Sequence, residues 1–166
     1  MAGFGVCGHD MQMTCAIKKM PILALALLLG WCGGAQAQSI DPLERSWYTA
    51  DSAYVINFIQ DSDDLFYGKI VWLKQPNNAD GTPRLDVKNK DKSFHTVPLM
   101  NMVVIGRLQK NAFYWDQYQH GSFYNADRGK MQCIQINLVS HRRLEVFIHD
   151  CQMGLLGKSS VWMLAE

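Results

Sequence analysis

The sequence predicts an all-β domain of antiparallel strands, on three observations. Apolar residues beyond position 50 recur with a period of two rather than 3.6. Short polar spacers at 61–64, 125–129 and 140–142 separate the alternating stretches, and spacers of that length join antiparallel neighbours. No repeat, low-complexity block or long charged run interrupts the pattern.

The first element in chain order is a leader. Lys18 and Lys19 precede an apolar run from Ile22 to Leu29, and the small residues up to Ala35-Gln36-Ala37 then supply the A-x-A pattern of a signal-peptidase site. Cleavage is expected between Ala37 and Gln38. The uncharged stretch from Met20 to Trp31 is 12 residues, against roughly 20 for a bilayer span, so it predicts no stable membrane anchor. Trp31 directly before Cys32 departs from a lipoprotein box, which takes a small residue there. Met11 and Met13 are alternative starts.

Removing residues 1–37 leaves 129 residues with 14 Lys plus Arg against 14 Asp plus Glu. A chain of that size suits one core. Its zero formal charge gives no field for collecting phosphates, which argues against nucleic acid as a partner. Of five cysteines only Cys133 and Cys151 remain, and an even pair in an exported chain favours a disulfide.

Alternation places strands at 54–60, 65–73, 102–108, 112–118, 122–124, 130–139, 143–151 and 158–164. The segment 74–98, with three prolines, is either a short helix or an irregular crossing over one end of the sheet, and a connection that long in a small domain is often functional. In the hairpin 130–151 the apolar residues are even-numbered: Ile134, Ile136 and Leu138 on one strand, Leu144, Val146 and Ile148 on the other. A three-residue loop from His141 to Arg143 would pair 138 with 146, 136 with 148, and Cys133 with Cys151, at a Cα separation that a disulfide spans.

Chemistry-bearing motifs are few. The chain has no G-x-S-x-G, H-E-x-x-H, Walker loop, G-x-G-x-x-G or C-x-x-C. His95, His120, His141 and His149 show no metal-ligand spacing, and Asp61, Asp63 and Asp64 read as a solvated hairpin turn. No metal or cofactor is implied, and an enzyme built on Asp86, Asn89 and a histidine ranks last. Aromatic residues carry more: Trp47, Trp72, Trp115 and Trp162 are joined by Tyr54, Phe58, Tyr67 and Tyr124. Trp47 and Trp162 are assigned to core packing, while the others suit either a core or the wall of an apolar cavity.

Gly68-Lys69-Ile70-Val71-Trp72-Leu73, Asp86-Val87-Lys88-Asn89, Trp115, Gly121-Ser122-Phe123-Tyr124, Gly129-Lys130, Leu144-Glu145-Val146 and Leu156-Gly157-Lys158-Ser159 with Trp162, in that order and spacing, resemble the exported bacterial domain of unknown function 2147. The resemblance covers nearly the whole mature chain. It implies a lipocalin-like β-barrel of about eight strands and no established enzyme activity. Arg45-Ser46-Trp47 stands where the family begins its first strand with Gly-x-Trp, and Trp162-Met163-Leu164 where it ends with Trp-x-Arg. Asn101 and Met131 replace the more usual glycine and tyrosine, and Asn125-Ala126 an Asp-Pro.

These readings together predict a periplasmic or secreted protein that binds a small apolar or amphipathic molecule, with Phe58, Trp72, Trp115, Tyr124, Ile136 and Ile148 lining the site. The alternative is an envelope interaction module with a side-chain-filled barrel, in which the 74–98 segment meets a protein partner.

Overall fold

Eight alternating stretches pair with their chain neighbours, and the last pairs with the first, so that no strand edge is left open. They are β1 (Ser46–Tyr48), β2 (Tyr54–Gln60), β3 (Leu65–Leu73), β4 (Val103–Lys110), β5 (Gln117–Asn125), β6 (Lys130–Ser140), β7 (Arg143–His149) and β8 (Gly157–Leu164). All neighbours are antiparallel and the sheet is a closed barrel. The computed structural model describes residues 40–154 and 156–166, so the leader and its Ala37 cleavage position lie outside the described residues.

The strands begin and end where local chemistry changes. Residues 61–64 turn because the Asp61 carboxylate accepts from the Ser62 N–H at 2.7 Å and Asp64 takes a left-handed φ of 59°. Of the predicted strand 112–118 only Gln117 and Tyr118 are strand, the start of β5; before them the Asn111 side chain accepts from the N–H groups of Phe113 and Tyr114 at 2.8 and 3.2 Å and curls the chain. β5 then runs unbroken through the separately predicted 122–124. The long 74–98 connection holds one short 3-10 turn, Lys92–Phe94, and two isolated bridges, Asn77 with Pro83 and Leu85 with Pro98. At its far side Asn101 has φ 69°, a conformation that glycine adopts freely and asparagine tolerates.

Inward and outward faces follow the alternation except where extra residues shift the register, in β3, in β4 and in β5, with Arg107 and His120 at φ 54° and 60° in the last two, and two expectations from the sequence are corrected. In the β6–β7 hairpin the even residues Ile134, Ile136, Leu138, Leu144 and Val146 are buried. The register is displaced by two residues from the expected one, Leu138 facing Leu144, Ile136 facing Val146, and Cys133 facing His149. The loop has two residues, His141 and Arg142, and Val139 is an extra residue between the paired Leu138 and Ser140. Because the displacement is two, no side chain changes face. Cys151 lies beyond the strand, and its disulfide to Cys133 spans a Cα separation of 5.0 Å.

The second correction concerns β3. Ile56 pairs with Ile70 but Val55 with Trp72, so Val71 is an extra residue and the alternation inverts there. Leu73 is buried and Trp72 is 42% exposed on the outer face, its ring 5.9 Å from that of Tyr48 in an edge-to-face contact.

The connections at 61–64, 111–116 and 141–142 share one end of the barrel, and that end is closed. Leu43 is fully buried there, its carbonyl accepting from the Trp47 indole N–H at 3.1 Å. The Asp41 carboxylate accepts from the Tyr118 hydroxyl at 2.5 Å and pairs with Lys110 at 2.5 Å. Burial, followed by the Asp41 carboxylate, drives the Tyr118 phenol upward from its ordinary pKa. Phe58, Phe66, Leu108, Tyr118, Ile134, Ile136, Leu138 and Leu144 pack the interior behind this plug. Trp47 and Trp162 are both buried, and Leu164, at the place of the family's arginine, pairs with Trp47 across the β1–β8 seam.

Candidate functional site

Beyond that packed half the interior is hollow. A cavity of about 720 Å³ opens between the β1–β2, β5–β6 and β7–β8 turns, within the ordinary size of a small-molecule site. Its deep wall is apolar: Ile56 from β2, Ile70 from β3, Val104 from β4, Phe123 from β5, Ile148 from β7 and Trp162 from β8. Gln132 and Ser160 add uncharged polar groups, and the charged lining residues, Asp51, Asp127, Arg128 and Lys158, belong to the mouth.

Alternation explains this gradient. On β8 the inward residues are Lys158, Ser160 and Trp162, running from exposed at the mouth to buried at depth. On β7 the inward Ile148 faces Lys158 across the ladder, while Val146 and Leu144 continue into the packed half.

The 74–98 segment braces the rim. Asp86 is 1% exposed, its two carboxylate oxygens taken by the Tyr124 hydroxyl at 2.7 Å and the Asn89 side-chain amide at 2.7 Å. The Arg84 guanidinium pairs with the Asp127 carboxylate at 2.9 Å, which also accepts from the Tyr54 hydroxyl at 2.6 Å. Burial first, then Asp127, pushes the Tyr54 phenol up to about 12, and burial with Asp86 does the same for Tyr124. Gly129 has φ 61°, and a Cβ there would overlap the Lys88 carbonyl oxygen, so the β5–β6 turn and the segment touch backbone to backbone. The Lys88 ammonium donates to the Asp127 carbonyl at 2.6 Å.

The residues proposed for the site from sequence divide three ways. Tyr124 and Ile148 line the cavity. Phe58 and Ile136 face inward but belong to the packed half, where Ile136 opposes Val146 rather than Ile148. Trp72 and Trp115 are not interior: the Val71 bulge turns Trp72 outward, and Trp115 is 65% exposed in the Asn111-capped turn. Sequence reasoning missed Trp162 as a wall residue and missed the rim residues Asp51, Arg128 and Lys158. Lys158 was legible, being two and four residues from Ser160 and Trp162 on one strand face.

Asp86, Asn89 and His95 do stand together, His95 Nε2 lying 2.8 Å from the Asn89 carbonyl. They belong to the 74–98 segment itself and none lines the cavity. His149 is stacked on Phe147 at 5.1 Å on the outer face. Among the described residues there is no group of three or more acidic, histidine or cysteine side chains placed to hold a metal ion.

A family model described as an uncharacterized protein conserved in bacteria, DUF2147, matches residues 46–163. Among solved structures, protein HP1028 from the human pathogen Helicobacter pylori, described as belonging to the lipocalin family, is similar with a TM-score of 0.62 at 19% identity, over 75% of this chain and 83% of that one. At that identity the likeness is one of fold. No curated protein matches this chain.

Proposed function

Since the chain belongs to the bacterial family DUF2147 and folds as a lipocalin-like barrel, we propose that it binds one small, partly apolar molecule in the cavity at the barrel's open end, as a binding protein and not as an enzyme. The observation that supports this most directly is the division of the interior: a packed half that stabilises the fold, and an apolar hollow of about 720 Å³ with its charged groups confined to the rim. A ligand there gains from apolar burial, while the rim fixes its orientation. The reading includes export to the periplasm or beyond, supported by the basic and apolar leader with its Ala35-Gln36-Ala37 site and by the Cys133–Cys151 disulfide, a bond that persists in oxidising compartments. Among the described residues no helix is long and apolar enough to cross a membrane.

Native mass spectrometry of protein taken from its own envelope reads a retained ligand directly. Delipidated protein should then gain about 2.7 kcal/mol of stability when free ligand is a hundredfold above its dissociation constant, and the emission of Trp162 in the cavity wall should change. A broad panel of lipids and aromatic metabolites that moves neither signal overturns the reading.

One observation favours a second activity for the same barrel, docking to an envelope protein. Phe113, Tyr114 and Trp115 are 91%, 58% and 65% exposed at the closed end, away from the cavity. Envelope cross-linking that captures one partner with wild type and loses it with Trp115→Ser would support this reading.

A further inference from the structure

The lining of the cavity mouth carries two cations, Arg128 and Lys158, and two carboxylates, Asp51 and Asp127, and the hydrogen bonds of the two carboxylates go to other groups. Arg84 and Lys88, which line a neighbouring pocket, both reach Asp127. Asp127 is already matched by Arg84 at 2.9 Å and by the Tyr54 hydroxyl. Asp51 accepts from the Thr49 hydroxyl at 2.7 Å and the Ala53 N–H at 3.1 Å. Burial pushes the Asp51 carboxyl up, but those hydrogen bonds and the nearby Lys158 charge outweigh it, so the group is lowered overall and is ionised at neutral pH. Among the described residues, neither the Lys158 ammonium nor the Arg128 guanidinium has a hydrogen-bond or ion-pair partner within the protein.

Both unengaged cations line the cavity. Lys158 stands at the top of the inward column that descends through Ser160 to Trp162, directly across the ladder from Ile148. Arg128 reaches the same opening from the β5–β6 turn, which the Gly129 contact with Lys88 holds in place. Below them no lining residue carries a charge, and an ion moved to that depth would lose its hydration without a partner.

We propose that the ligand is an anionic amphiphile, its alkyl or aryl body against Ile56, Ile70, Ile148 and Trp162 and its carboxylate or phosphate head at the mouth between Lys158 and Arg128. This deepens the binding reading and rests on it. An anionic head gains charge-assisted hydrogen bonds from both cations. A cationic head would be repelled by the same pair, and a neutral one would leave them unused.

The test compares dodecanoate, dodecyl phosphate, dodecanol and dodecyltrimethylammonium as single probes against delipidated protein, below their micelle-forming concentrations, by calorimetry and tryptophan emission. At least one anion should bind about tenfold tighter than dodecanol, with the ammonium weakest, and the tighter anion identifies the head. The preference should shrink as salt rises. Lys158→Met and Arg128→Met should each narrow the preference for the anion over dodecanol by several-fold, with unaltered melting temperatures because both side chains are exposed. If all four probes bind alike, or the variants do not distinguish anion from alcohol, the head assignment fails and the cavity reading stands. If no probe binds, and the broad panel is silent too, the cavity reading fails with it.

Discussion

The hydroxyl of Tyr124 donates to the carboxylate of Asp86 at 2.7 Å, joining the cavity wall to a residue 38 positions earlier in the chain. Asp86 is almost completely buried, and its remaining oxygen is held by Asn89. Tyr124→Phe removes one of two donors and leaves a buried carboxylate short of a partner, which costs about 1–3 kcal/mol. Urea denaturation should show a lower midpoint with an unchanged slope. A midpoint equal to wild type would mean that the bond does not hold the segment.

The two rim phenols predict an alkaline limit. Tyr54 and Tyr124 have folded pKa values raised to about 12, against roughly 10 in an unfolded chain. Raised values mean that the folded state retains protons that the unfolded state releases. Their contribution is therefore complete below about pH 10 and is lost as pH rises toward 12. Stability measured across that interval should decline, and Tyr54→Phe combined with Tyr124→Phe should make the decline shallower.

The packed and hollow halves should answer mutation differently. Ile136→Ala leaves a hole in the packed half and should cost about 2–5 kcal/mol. Ile148→Phe places added volume in open space, so it should change stability by little and abolish the ligand response in emission and melting temperature. Equal effects from the two variants would contradict the division of the interior.

Trp115 and Trp162 make a second contrast. Trp115→Ser, in an exposed turn, should leave stability within about 0.5 kcal/mol of wild type and preserve the ligand-dependent emission change. Trp162→Phe should remove most of that change, because Trp162 is the indole in the cavity wall.

The Cys133–Cys151 bond closes a sequence separation of 18, which the chain-entropy model values at about 3 kcal/mol. Cys133→Ser with Cys151→Ser should lower stability by about that amount. Thiol alkylation before reduction should leave both cysteines of the wild-type protein unlabelled, and two reactive thiols in protein recovered from the periplasm would contradict the bond.

Local chemistry was readable in the sequence wherever alternation was uninterrupted. β2 and β3 have the predicted limits, and the inward face of β6 and β7 is the even-numbered one. Single extra residues defeated the rest. Val71 looks like any outward strand residue, yet its insertion inverts the face of Trp72; Val139 and the two-residue turn displace a register that parity alone leaves free by multiples of two. The turn at 111–116 depends on which backbone groups the Asn111 side chain selects, and the aromatic run Phe113-Tyr114-Trp115 conceals that choice. The rim was the least legible part of all. Asp86 with Tyr124, and Arg84 with Asp127, meet across the barrel mouth, and no local pattern records such distant pairs.

The seam between β1 and β8 sets a condition on how this barrel can be made. Trp47 meets Leu164 there, and the Ala165 N–H donates to the Ser46 carbonyl at 2.9 Å. During synthesis nothing shorter than the span from Trp47 to Leu164 can close the ring, so the edge of β1 stays without its partner while every intervening strand emerges. Such an edge can template pairing with another nascent chain. With only three residues in β1, the template is short, and a passing strand has little to grip before the chain's own last strand arrives.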